Sequence, residues 1–164
     1  VSYHNIRSKL DRALVAWIIE QEAGTSANTF PAKNSASVTL PAIICHTITA
    51  TEEPPFSGNF TCQVEVTVRS RAPLESGEAA STTDDASDAL VAAVFDCFHI
   101  DLEQSGATLA AEITTVAQGL GGDMLDLTLL NVRCVTEEGA FSEDSAAWED
   151  TMTLEVYAVP SDVS

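Results

Sequence analysis

Positive charge is scarce in this sequence. Lys and Arg total 7 against 25 Asp and Glu, which leaves a formal net charge of −18 over 164 residues. Beyond Arg71 one base remains, Arg133, against nineteen carboxylates. A chain of this sign repels phosphates, which excludes nucleic-acid affinity by counterion release. Long apolar runs are also missing. The longest, Ala89 to Phe95, is bracketed by Asp84, Asp85, Asp88 and Asp96 and falls far short of the ~18 residues of a membrane span. Ala13 to Ile19 is too short and too amphipathic for a signal-peptide core, so the expectation is a soluble intracellular chain with no membrane partner. Cysteine pairs of the C-x-x-C type are absent. Cys45, Cys62, Cys97 and Cys134 lie 17, 35 and 37 residues apart, which excludes zinc ribbons and thioredoxin-like redox motifs. Each sits in an apolar stretch, and all four are expected as reduced, buried thiols.

Catalytic signatures are lacking too. There is no G-x-S-x-G and no H-E-x-x-H. Gly119-Leu-Gly-Gly122 has no Lys after it and follows a helical stretch, so it reads as helix punctuation and not as a phosphate loop. Asp84-Asp85-Ala-Ser-Asp88 has the spacing of a magnesium–diphosphate motif. It sits at a helix start, where carboxylates complement the dipole and cap free N–H groups, and the bases that would hold a diphosphate are missing. Cys45 with His46, and Cys97 with His99, are the only zinc-like pairs. Neighbours on a strand point to opposite faces, so Cys45 and His46 cannot both ligate. Asn59-Phe60-Thr61 matches a glycosylation sequon without meaning in an intracellular chain. We therefore expect no catalytic residue, no cofactor and no metal.

What is present is a clear alternation of element types in one domain spanning 1–164. Ile6, Leu10, Ala13, Leu14, Trp17 and Ile18 form an apolar stripe over a helix from 2 to 21, with Arg7, Lys9, Asp11 and Arg12 on other faces and Gly24 as its cap. Thr25 to Lys33 reads as a loop or a short edge strand, since Pro31 argues against a central one. A β region over 37–71 follows, and Glu52 to Asn59 breaks it into a hairpin. Phe60 to Arg71 alternates strictly, Val64, Val66 and Val68 against Glu65, Thr67 and Arg69. A small-residue linker leads to a helix over 84–98 with the stripe Ala86, Leu90, Val94, Phe98. The variable segment 100–122 holds a short helix from Leu109 to Ala117, capped by Ser105 or Thr108. The β region 124–159 changes phase at Leu129-Leu130, which predicts a bulge. It contains an acidic loop over Glu137 to Glu149. This order predicts an α+β fold, a mostly antiparallel β-sheet with helices packed on one face.

The amphipathic first helix, the strand FTCQVEVTVRSR, the acid-capped helix DDASDALVAAVFDCF and the closing WEDTMTLEVYAVP occur in an order that resembles the tail terminator proteins of tailed bacteriophages. That resemblance implies a structural virion protein. It would form a hexameric ring that caps the tail tube and joins it to the head, with DNA passing through the lumen. The implied partners are other copies of the chain, the tail tube protein and a connector or neck protein, with assembly in the host cytoplasm. Passage of DNA would be non-specific, along an acidic wall that does not hold phosphates. Candidate subunit contacts are the basic cluster Arg7, Lys9 and Arg12 and the acidic residues Glu52, Glu53, Glu137, Glu138, Glu143 and Asp144. Other readings are a different phage neck or tail-tube protein, an acidic DNA-mimic inhibitor, and a small-ligand or enzyme domain, which the lack of a paired nucleophile and base disfavours.

Overall fold

The computed structural model describes residues 6–34, 40–55, 57–71, 88–99, 105–142 and 147–160. Expectations for 1–5, 35–39, the linker with Asp84 and Asp85, 100–104, and Glu143 with Asp144 lie outside the described residues. The first helix, α1 (Ile6–Glu20), buries the expected stripe of Ile6, Leu10, Ala13, Leu14, Trp17 and Ile18. It ends on Glu22, not Gly24. Glu22 takes a left-handed φ of 58°, while its N–H returns to Ile19 O and that of Ala23 to Ile18 O. These two bonds satisfy the last carbonyls of the helix. Gly24 serves close approach: a Cβ there would stand 2.2 Å from Thr29 Oγ1.

Thr29–Pro31 forms a short edge strand, β1, parallel to β2 (Ala42–Glu52). β2 and β3 (Phe60–Arg71) make the expected antiparallel hairpin. After it come a helix over residues 88–96 (α2), α3 (Gly106–Gln118), β4 (Leu127–Ser142) and β5 (Ala147–Pro160). The sheet order is β1-β2-β3-β5-β4, and every pair except β1·β2 is antiparallel. This is the α+β fold expected. The even-numbered residues of β3, Phe60 to Val68, meet Val94, Phe95 and Phe98 of the α2 region and the α1 stripe in one core. Burying each such large apolar side chain is worth roughly 1.5–3 kcal/mol. No helix among the described residues is long and apolar enough to cross a membrane.

Three register shifts interrupt the sheet, at Thr47/Thr49 in β2 and at Leu129/Asn131 and Cys134/Thr136 in β4. The second is the bulge that the phase change at Leu129-Leu130 predicts. Two of the three are served by polar side chains from a helix. Asp11 of α1 accepts from Thr47 N–H at 2.6 Å and from Thr47 Oγ1 at 2.7 Å. Thr114 of α3 accepts from Leu129 N–H at 2.9 Å, and Gln118 Nε2 donates to Leu127 O at 3.0 Å. A bulge frees backbone groups from the ladder, and a helix side chain here replaces the lost partner. α3 sits tight on β4: a Cβ at Gly106 would fall 2.2 Å from Asn131 Oδ1. Its N-cap is Ser105, whose hydroxyl accepts from Thr108 N–H at 3.2 Å.

Two further sequence expectations are corrected. Lys9 and Asp11 do not lie on an outer face of α1; they are 4% and 5% exposed. Asp11 is drawn in by the Thr47 bonds, and the Lys9 ammonium lies close enough to Asp123 to help lower that carboxyl's pKa. The long acidic loop over Glu137 to Glu149 is mostly strand. β4 continues to Ser142 and β5 starts at Ala147, with Glu137 opposite Met152 and Glu138 opposite Thr151.

Candidate assembly surfaces

Strand alternation gives the sheet a second face that carries no described helix. On it β3 presents Thr61, Gln63, Glu65, Thr67 and Arg69, and β5 presents Glu149, Thr151, Thr153, Glu155 and Tyr157. Half of these ten side chains carry hydroxyls, and Thr67 and Thr151 lie with their Oγ1 atoms 3.2 Å apart. Two arginines of this face, Arg133 and Arg69, are paired within the chain. Arg133 holds Glu155 at 2.9 Å through Nε and Nη2, and Tyr157 Oη donates to the same carboxylate at 3.2 Å. Arg69 Nε stands 3.1 Å from Glu149 Oε1, an ion pair whose angle does not make a hydrogen bond. Arg133 and Tyr157 hold the Glu155 carboxyl below its ordinary range. The bulge at Cys134/Thr136 places Val135, 51% exposed, beside Thr153 and Glu155 in a shallow groove on this face.

The basic cluster of α1 does not act as a unit. Arg7 is exposed and Lys9 is buried. Arg12 is taken by its own chain, with Nη2 2.8 Å from Asp123 Oδ2, and this bond is the main cause of the lowered Asp123 pKa. Among the acidic candidates, Glu52 accepts from Gly58 N–H at 2.7 Å and so closes the β2–β3 turn. Glu53 is exposed in that turn. Glu137 is bonded to His99, which ties the end of α2 to β4, whereas Glu138 is exposed. The structure therefore brings none of these residues into one site. Arg7, Glu53 and Glu138 remain as exposed candidates at separate places.

Sequence reasoning missed a cleft on the helical side. It lies between the end of α1, the end of α2 and α3, and encloses about 490 Å³. Trp17, Leu109 and Val116 line it, with Glu20, Asp96, Glu112 and His99 around them. The Trp17 indole N–H donates to Cys97 O at 2.9 Å, which fixes the wall. These residues come from three elements, and no local spacing signals them.

The chemistry of the thiols is muted. Cys45 and Cys62 are buried, while Cys97 and Cys134 are half-buried, less than their apolar surroundings in sequence suggest. Burial pushes Cys62 up to about 12 and Cys97, also beside Asp96, up to about 11. Cys45 and Cys134 are raised as well, again first by burial. A thiol in this range stays protonated at neutral pH and is a poor nucleophile. Cys45 points into the core and His46 is exposed on the other side of β2. Among the described residues no three His, Cys, Asp or Glu side chains are arranged to hold a metal ion. In sequence, no protein family and no well-characterised protein matches the chain.

Proposed function

We propose that the chain is a non-enzymatic structural subunit of a phage tail. In this reading it is a tail terminator that closes into a hexameric ring on the tail tube and links it to a head-side connector. The observation that carries the reading is the one-sided sheet. Helices clothe one face, and the other is a broad, hydroxyl-rich surface on which Arg69 and Arg133 are neutralised by Glu149 and Glu155. Such a face can pack against another protein without leaving either of these two charges buried and unpaired. The resemblance noted in the sequence supports the same reading. The charge fits a DNA conduit as well, because a lumen built from copies that carry −18 each does not retain passing phosphates.

Light scattering and negative-stain electron microscopy of the purified protein test this, at 0.05 M and 0.3 M salt, with and without tail tube protein. Sixfold rings are expected, favoured at the higher salt because screening weakens repulsion between like-charged copies. Arg7→Glu should weaken them with the fold intact. Arg12→Glu is a poorer test, since it also removes the Asp123 pair. A chain that stays monomeric at both salts with tube ends present overturns the proposal. A stoichiometric complex with a DNA-binding protein instead would favour the DNA-mimic reading.

A further inference from the structure

The cleft beside Trp17 has a mismatch that no described residue of its own chain resolves. Its floor is apolar, with Trp17 and Leu109 each 6% exposed and Val116 beside them. Glu20, Asp96 and Glu112 stand exposed around it, and among the described residues no Lys or Arg lines it. His99, the one other ionisable ring there, is already turned to Glu137 and lies 3.6 Å from Asp96. Four of the protein's seven Lys and Arg are engaged or buried elsewhere. Arg12 holds Asp123, Arg69 holds Glu149, Arg133 holds Glu155, and Lys9 is buried. Among the bases whose side chains are described, Arg7 and Lys33 are exposed and outside an ion pair with a described residue. A second copy therefore brings these two described bases together with its own large excess of carboxylates.

We propose that this cleft docks a basic segment of a different protein, one in which Lys or Arg alternates with an aliphatic anchor. The anchor and the side-chain stems lie on the Trp17–Leu109–Val116 floor, and the cationic ends meet Glu20, Asp96 and Glu112. Charge complementarity selects the occupant: the surrounding field of a strongly acidic chain attracts cations and speeds their encounter. The floor is held by the Trp17–Cys97 bond, so little ordering is needed on binding. The inference stands whether or not the chain forms rings.

Trp17 and Trp148 are the only tryptophans, so Trp148→Phe makes Trp17 fluorescence a reporter of the cleft. Four probes are titrated: a capped Lys-Leu-Lys-Leu-Lys peptide, its Glu-Leu-Glu-Leu-Glu counterpart, pentalysine, and Mg2+ alone. A saturable change with the Lys-Leu peptide only is expected. Glu20→Gln/Asp96→Asn/Glu112→Gln should weaken it at least tenfold. Glu53→Gln/Glu65→Gln/Glu138→Gln, which removes the same charge far from the cleft, should weaken it less than twofold. Circular dichroism verifies the fold of both variants, and calorimetry on the wild-type chain gives the same ranking without the Trp148 change. Equal binding of pentalysine would show that charge alone binds and would overturn the role of the floor. Saturation by Mg2+ would make the cleft a cation site and overturn the proposal. Equal weakening by both triple variants, or no saturable signal, would overturn it too.

Discussion

Asp11→Ala is the substitution that should cost most for its size. Asp11 accepts two short hydrogen bonds from Thr47, one from the N–H at the bulge and one from the hydroxyl. Hydrogen bonds to a charged group contribute ~1.5–3 kcal/mol each, and an orphaned buried N–H costs ~1–3 kcal/mol. The hydroxyl keeps a weaker outlet in Arg7 O at 3.4 Å. Against this stands the relief of a desolvated carboxylate, since burial raises the Asp11 pKa above 3.8 in spite of both bonds. Balancing these, the expected loss is about 2–3 kcal/mol, read by urea denaturation with the slope unchanged. Asp11→Asn keeps an acceptor and should lose about half as much. The pH dependence separates the two effects. The folded carboxyl holds its proton at pH values where the unfolded one has lost it. Its contribution is complete below 3.8 and is lost as pH rises through the folded value. Wild type should therefore lose stability relative to Asp11→Asn as pH rises above 3.8 and through the folded value. A loss below ~0.5 kcal/mol for Asp11→Ala, or a pH-independent gap between wild type and the Asn variant, would refute the clamp.

Other positions give simpler tests. Phe98→Ala should cost about 3–5 kcal/mol in chemical denaturation, while Leu90→Ala, only half-buried, should cost under ~2 kcal/mol; equal costs would mean that α2 packs in another register. Glu22→Gly should stabilise by about 0.5–1 kcal/mol, because it relieves a left-handed residue at the end of α1, and a loss in the thermal midpoint would contradict that cap. Thiol titration should find four reactive groups in denaturant; in the native state Cys97 and Cys134 should react slowly and Cys45 and Cys62 not at all. Arg12→Ala should cost less than about 1 kcal/mol, since the Asp123 pair is largely solvated, and the cost should fall further at high salt.

The parts of the fold that follow from local period were legible in the sequence. Strict alternation in Phe60 to Arg71 assigned that strand and its inner face, and the phase change at Leu129-Leu130 located a bulge. Ser105 was readable as a cap because its hydroxyl sits three residues from the N–H it serves. What escaped were contacts over long separations. Asp11 looks like a surface charge until Thr47, thirty-six residues away, is set beside it. Glu137 and Glu138 look like loop residues, because a strand with one solvated face tolerates acids that composition assigns to turns. Glu22 carries no sign of its backbone angle, so Gly24 attracted a role that belongs two residues earlier. The cleft escaped entirely, since Glu20, Asp96 and Glu112 meet only once three helices are placed.

The arrangement of charge decides how such a chain can assemble. Had more of its described bases than Arg7 and Lys33 been left exposed, copies could have attracted one another through them at many points. Arg12, Arg69 and Arg133 instead close pairs within the chain, and Lys9 is buried. The remaining surface is left with an excess of negative charge that grows with every copy added. Contact between copies is then least opposed where charge already cancels locally, which is the hydroxyl-rich sheet face around Arg69–Glu149 and Arg133–Glu155. There the nearest charges are compensated within a few ångströms, and the more distant ones are screened over a Debye length of about 8 Å at physiological salt. The cleft on the helical side, where Glu20, Asp96 and Glu112 have no Lys or Arg beside them among the described residues, is the opposite case. It repels its own kind and suits a partner that brings the missing charge. The two sides of one sheet thus divide the work, one fitted to neutral packing and the other to a cationic guest.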